Sequence, residues 1–211
     1  MQKVTAFIIR KAKGEKDLLL FKHPYAGIQI PAGTVEENET QEDAVRREVL
    51  EETGLNHFCR SVYLGFSDEV IDNNQRILAK PTKVYARPDL ASFDWAYLPR
   101  GIRLEVLQPG EIFSQVRYVE YDQYPNSQYV SMSIIGWVEN EKLDREQRRH
   151  FYYLEVEGTA EETWQRQTDN HTFTLFWASL KALPEIVYPQ STWLEQLNCF
   201  LKEDQASEEL K

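Results

Sequence analysis

Over most of the chain, apolar and polar positions alternate in short runs of the length and spacing of strands. "VTAFIIR" (residues 4–10) and "DLLLFK" (17–22) read as strands joined by the polar turn "KAKGEK". "GIQIPAG" reads as a short strand stopped at a Pro/Gly break. The period then changes to that of a helix. Thr40, with Asp43 three residues on, predicts an N-terminal capping box, and Gly54 suits the position after the last turn. "HFCRSVYLGF" (57–66) predicts another strand. Between about 80 and 143, short β-like runs alternate with turns and no helical period is evident. "REQRRHFYYLEVEG" and "HTFTLFWASL" return as strands. "PQSTWLEQLNCFLKEDQ" predicts a closing helix, with Trp193, Leu194, Leu197, Phe200 and Leu201 at helical spacing. "QASEELK" is expected to fray.

This pattern needs a large core, and 211 residues with 42% hydrophobic side chains can supply one rich in aromatics. The net charge of −10 argues against broad electrostatic binding to nucleic acid or anionic membrane. Phosphate ligands stay open, because a divalent cation can provide the positive charge. Cys59 and Cys199 alone make no disulfide scaffold, so a reduced, cytoplasmic setting is the expectation. No apolar run approaches the roughly 20 residues that a bilayer requires, and no secretory leader is expected.

The helix at 40–53 is where the charge becomes informative. At 100° per residue, with Glu48 as zero, Glu52 lies at about +40°, Ala44 near −40°, Val45 near +60° and Val49 near +100°. Glu48 and Glu52 therefore share the arc that should face the protein, while Asp43, Arg46 and Leu50 point away. This is a poor arrangement for stability alone. Like charges at i, i+4 repel, acids near a helix C-terminus oppose its dipole, and inward carboxylates without partners are costly. Arg47 can reach Glu51, but one arginine cannot neutralise three acids. A hard divalent cation could.

The same stretch resembles the Nudix box of the Nudix hydrolases. Gly33 is followed after five residues by Glu39, and after seven more by "REVLEETGL" (47–55), so every fixed position of that pattern is filled. The resemblance implies an α/β/α sandwich on a mixed β-sheet. It also implies metal-dependent hydrolysis of a nucleoside diphosphate linked to another moiety X, with Mg²⁺ or Mn²⁺ as cofactor. By the same resemblance Glu48, Glu51 and Glu52 are metal ligands, and the backbone carbonyl of Gly33 can join them. Arg47 orients the glutamates, and Glu39 is a supporting acid. The general base is a box glutamate, Glu51 or Glu52, or a residue on a distant loop. A non-catalytic ligand-sensing or protein-interaction module on the same fold is the alternative.

Outside the box, Glu155, Asp169 and His171 are weaker candidates for a metal or base role, with surface or hydrogen-bonding roles expected instead. Lys22 and His23 could touch phosphate. Phe151, Tyr152, Tyr153, Phe173, Phe176 and Trp177 could stack a base, but their strand context favours core packing. The length beyond a simple Nudix domain places an insertion at 78–144 between two Nudix segments, 1–77 and 145–203, with a flexible tail at 204–211. The insertion resembles a bacterial SH3-type small β-barrel at Val84, Arg87 and Pro88; at Leu98, Gly101, Leu104, Val106 and Leu107; at Val116 and Tyr118; and at Gly136, Trp137, Val138 and Leu143. Homodimerisation, or walling of the substrate cleft, is its expected role. The identity of X is not readable.

Overall fold

The computed structural model describes residues 1–12, 14–123, 126–157, 161–168 and 171–209. In chain order the elements are β1 (Gln2–Ala12), β2 (Glu15–His23), β3 (Gly27–Gln29), β4 (Ala32–Thr34), α1 (Gln41–Thr53), β5 (Arg60–Val70), β6 (Gln75–Leu78), β7 (Thr82–Tyr85), β8 (Asp94–Leu98), β9 (Arg103–Gln108), β10 (Phe113–Tyr121), β11 (Val130–Glu139), β12 (Leu143–Asp144), β13 (Glu146–Val156), β14 (Thr163–Thr168), β15 (His171–Ser179) and α2 (Gln190–Glu209). The fold is mixed α/β, mostly strands, with two α-helices among the described residues. The chain forms two compact units, one of residues 2–67 and 149–211, the other of 68–148 with Met1.

The first unit is built on the strand order β14-β15-β2-β1-β13-β5, with β3 added to β2 and β4 to β1. Residues 4–10 of β1, 18–21 of β2 and 150–156 of β13 are buried at every position and mostly apolar, because both faces of the sheet are covered there. On β1, Val4, Ala6 and Ile8 join one core with Ala44, Val45 and Val49 of α1. Phe7 and Ile9 join the other, with Leu197 of α2 buried in it and Trp193, Leu194, Phe200 and Leu201 packed against it. Each fully buried Leu, Ile or Phe contributes about 1.5–3 kcal/mol relative to exposure. The expected aromatic core is present: Phe151, Tyr152, Tyr153 and Phe173 are buried, and Phe176 and Trp177 pack against the two cores. α2 runs through Glu209, so the described part of 204–211 belongs to that helix.

One irregularity of this sheet positions the site. The C-terminal half of β1 pairs with β2 (Ile9↔Leu18), but its start pairs with β4 (Lys3↔Thr34, Val4↔Gly33, Thr5↔Ala32). The change of partner brings Ala32–Thr34 alongside α1.

The second unit is a seven-stranded sheet in the order β12-β6-β9-β10-β11-β7-β8. It begins ten residues before the expected boundary at 78, because β6 pairs into the same sheet (Ile77↔Arg103). Leu78, Val84, Leu98, Leu104, Val116 and Val138 form its buried core, with Tyr118 and Leu143 against them.

Candidate functional site

The box helix begins and ends as its sequence dictates. Thr40 Oγ1 accepts from Asp43 N (3.1 Å), and Gly54 adopts the left-handed conformation (φ 80°) with its N–H on Leu50 O. Ala44, Val45, Val49 and Thr53 are buried, and Leu50 is exposed. Glu48 and Glu52 are half-buried on the inner side, where the wheel sets them, while Glu51 is exposed.

The inward carboxylates lean on β4. Thr34 N donates to Glu48 Oε1 and Ala32 N to Glu52 Oε2, both at 3.0 Å. Gly33, between those two donors, makes the approach feasible: a Cβ there would overlap the Glu48 carboxylate. Arg47 gathers the remaining acids. It grips Glu39 through two bonds (Nε–Oε1 2.9 Å, Nη2–Oε2 3.0 Å), holds Thr34 O (3.0 Å), and sets Nη1 3.0 Å from Glu48 and 3.2 Å from Glu51. Glu36 N also donates to Glu39. Burial pushes the Glu48 carboxyl above the usual range, against the opposing pull of Arg47 and the Thr34 N–H. The fork of Arg47 holds Glu39 below its ordinary value, and Glu39 in turn raises Arg47.

The acids that the sequence groups as one set are thus divided. Glu48 and Glu52 face the β4 backbone, and Glu51 turns to Arg47 and solvent. Accordingly, among the described residues no three His, Cys, Asp or Glu side chains stand together ready to hold a metal ion.

The candidates outside the box separate by sheet face. Glu155 follows Phe151 and Tyr153 on the α2 face of β13, opposite the box, which removes it from a metal or base role there. It is buried, accepts from Tyr153 Oη (2.9 Å) and pairs with Lys11 (2.8 Å). Burial raises its pKa, but these two partners, with the charge of Lys16, outweigh it and leave the group below the ordinary value. Lys22 falls between Phe21 and His23 on β2 and is exposed. His23 and His171, far apart in sequence, are brought together with ring centroids 4.8 Å apart and Tyr25 beside both. They continue the α1 face of the sheet beyond the stacked pair Phe21–Phe173. His23 Nδ1 accepts from Tyr25 N and Ala26 N, and burial, then His171, lowers its pKa. Asp169 lies outside the described residues.

Sequence reasoning missed two contributors. The backbone donors of β4 carry no side-chain signal. The strand β14, "TWQRQT", lacks apolar alternation, yet Trp164 Nε1 donates to Thr53 O (2.8 Å) and Arg166 to Leu50 O (3.3 Å) at the end of α1.

A profile of the NUDIX domain matches residues 1–135, and the chain belongs to that family. No curated protein matches it. Among solved structures it is similar to the NUDIX domain of NrtR from Shewanella oneidensis, crystallised with ADP ribose, at 14% identity and a TM-score of 0.49, over 95% of this chain and 88% of that one. Among the described residues no helix is long and apolar enough to cross a membrane.

Proposed function

We propose that the chain is a divalent-cation-dependent pyrophosphohydrolase that cleaves the diphosphate of a nucleoside diphosphate derivative. The observation that carries this reading is the pair of half-buried carboxylates, Glu48 and Glu52, held against the β4 backbone where Gly33 leaves room for them. The donor set suits Mg²⁺ or Mn²⁺: hard carboxylate oxygens, one of them on a group that burial disfavours as a bare anion. Glu48, Glu52 and the Gly33 carbonyl would hold the cation, with Glu51 joining once it leaves Arg47. When bound, the cation would neutralise the diphosphate and acidify a water. Arg47, fixed by Glu39 and Thr34 O, keeps the acids oriented whichever way Glu51 points. Glu51 or Glu52 takes the proton of the attacking water. The ligand expected is a small nucleotide derivative.

Arg47 itself favours a second reading, in which its guanidinium stays paired with Glu48 and Glu51 and the domain senses a ligand without turning it over. A panel of nucleotide sugars, ADP-ribose, dinucleoside polyphosphates and nucleoside triphosphates, assayed with Mg²⁺ and Mn²⁺, separates the two. Hydrolysis by the wild type, lost in Glu52→Gln with the thermal midpoint unchanged, is the expected result. Full activity in Glu52→Gln would sink the ligand assignment, and ligand binding with no turnover would favour the sensor.

A further inference from the structure

α1 ends badly for a helix that carries the acids of the site. Its last turn holds Glu51 and Glu52 and no basic residue, and its final carbonyls, left without helical partners, present the negative end of the dipole. The helix repairs part of this itself: Thr53 turns its hydroxyl back to Val49 O (2.6 Å), and Gly54 N reaches Leu50 O. β14 adds to this, with a second bond to Leu50 O and one to Thr53 O. Trp164 and Arg166, two apart on the strand and so on one face, donate to Thr53 O and Leu50 O. Glu51 and Glu52 are the two residues between those carbonyls.

β14 is itself held firmly. It pairs with β15 from Thr163↔Phe176 to Thr168↔His171. Trp164 packs on the core beneath α1 beside Trp177. Arg10 covers Trp177 and grips Glu162 with two bonds, 3.1 and 2.7 Å long. Gripped carbonyls on one side and an anchored strand on the other leave the last turn of α1 little freedom to rotate.

We propose that Trp164 and Arg166 are positioning residues for the site. By bracketing the peptide groups of Glu51 and Glu52 they fix the register of the last turn, and with it where the two carboxylates can point. This rests on the reading of those acids as cation ligands and adds to it two residues that lie outside the box.

The test is Mn²⁺ binding to the purified full-length protein, followed by electron paramagnetic resonance, with thermal unfolding measured in parallel. Trp164→Phe keeps an aromatic ring against the core but removes the donor together with the five-membered part of the indole. Arg166→Met removes donor and charge, and Arg166→Lys keeps both in kind. The junction borders an open cavity of about 420 Å³, so changes at Arg166 neither empty nor overfill a core. Partners one step removed from metal ligands commonly change affinity by ~10-fold or more. Trp164→Phe and Arg166→Met are each expected to weaken Mn²⁺ binding by about that factor, with Arg166→Lys near wild type. If Arg166 acted only by its charge, removing it would tighten Mn²⁺ binding. Unchanged or tighter binding in Arg166→Met and Trp164→Phe, with or without a lower thermal midpoint, overturns the positioning role. Glu52→Gln is the control: if it binds Mn²⁺ like wild type, the ligand reading itself has failed and the positioning role falls with it. Wild-type binding that Glu52→Gln abolishes but the β14 variants leave untouched sinks the positioning role alone.

Discussion

At the scale of single residues, Gly33 is informative because its role is steric. Its φ does not lie in the left-handed region, so the backbone would accept alanine. What alanine would displace is the Glu48 carboxylate. Gly33→Ala should therefore fold with a near-normal thermal midpoint and bind Mn²⁺ at least about 10-fold more weakly, as a titration of the purified variant would read directly. His23 makes a second prediction. Its Nδ1 lone pair is used by two backbone N–H groups, so protonation there must break both bonds. With the folded pKa depressed, the unfolded chain binds more protons between the folded value and about 6.5. The contribution of His23 to stability is complete above about 6.5, declines as pH falls through that value, and levels off below the folded pKa. In His23→Asn, whose side-chain oxygen can accept the same bonds, urea unfolding at pH 7.5 and pH 5 should show a smaller loss on acidification than in wild type. His171→Ala should raise the pKa of His23, read by NMR titration of the imidazole protons.

At the scale of elements, legibility followed from how each element earns its burial. α1 was readable because cap, period and stop signal coincide: Thr40, the Ala44–Val45–Val49 stripe and Gly54. The wheel also put Glu48 and Glu52 on the inward arc, where both are half-buried, since helix geometry decides which side chains share a face. Replacing Thr40 with alanine should accordingly cost about 1 kcal/mol in denaturant unfolding, through loss of the bond to Asp43 N. β14 was not readable. Its sequence is polar at five of six positions, and it holds its place through pairing with β15 and through Trp164, interactions made with segments that the local pattern does not contain. The same holds for β4, whose part in the site beyond Gly33 is made by backbone groups, two N–H donors and the Thr34 carbonyl. Glu155 shows the converse: an acid near a strand end reads as a candidate ligand until strand parity puts it on the other face of the sheet, against Lys11 and Tyr153.

At the scale of the molecule, the question is why a unit as long as 68–148 can interrupt a sheet strand order without dismantling it. β5 and β13 are neighbours in that sheet. Contacts between them run in opposite senses, from Cys59 with Glu155, through Tyr63 with Tyr152, to Phe66 with His150. The chain thus leaves the first unit at Ser67 and returns at Arg149 from adjacent positions, like the arms of a hairpin whose tip has been opened. Insertions at such tips leave the host core intact: among the described residues, neither core cluster of the host draws on 68–148. Replacing residues 68–148 with Asn-Gly, a pair suited to a tight hairpin turn, should therefore give a folded protein. It should unfold cooperatively and retain the Mn²⁺ affinity of the full chain, since the residues around the box all lie in the first unit. A molten product, with near-ultraviolet circular dichroism lost, would mean that the first unit depends on the second for its fold. A folded product that binds Mn²⁺ but no longer turns over the substrate found in the panel would assign recognition of X to the inserted unit.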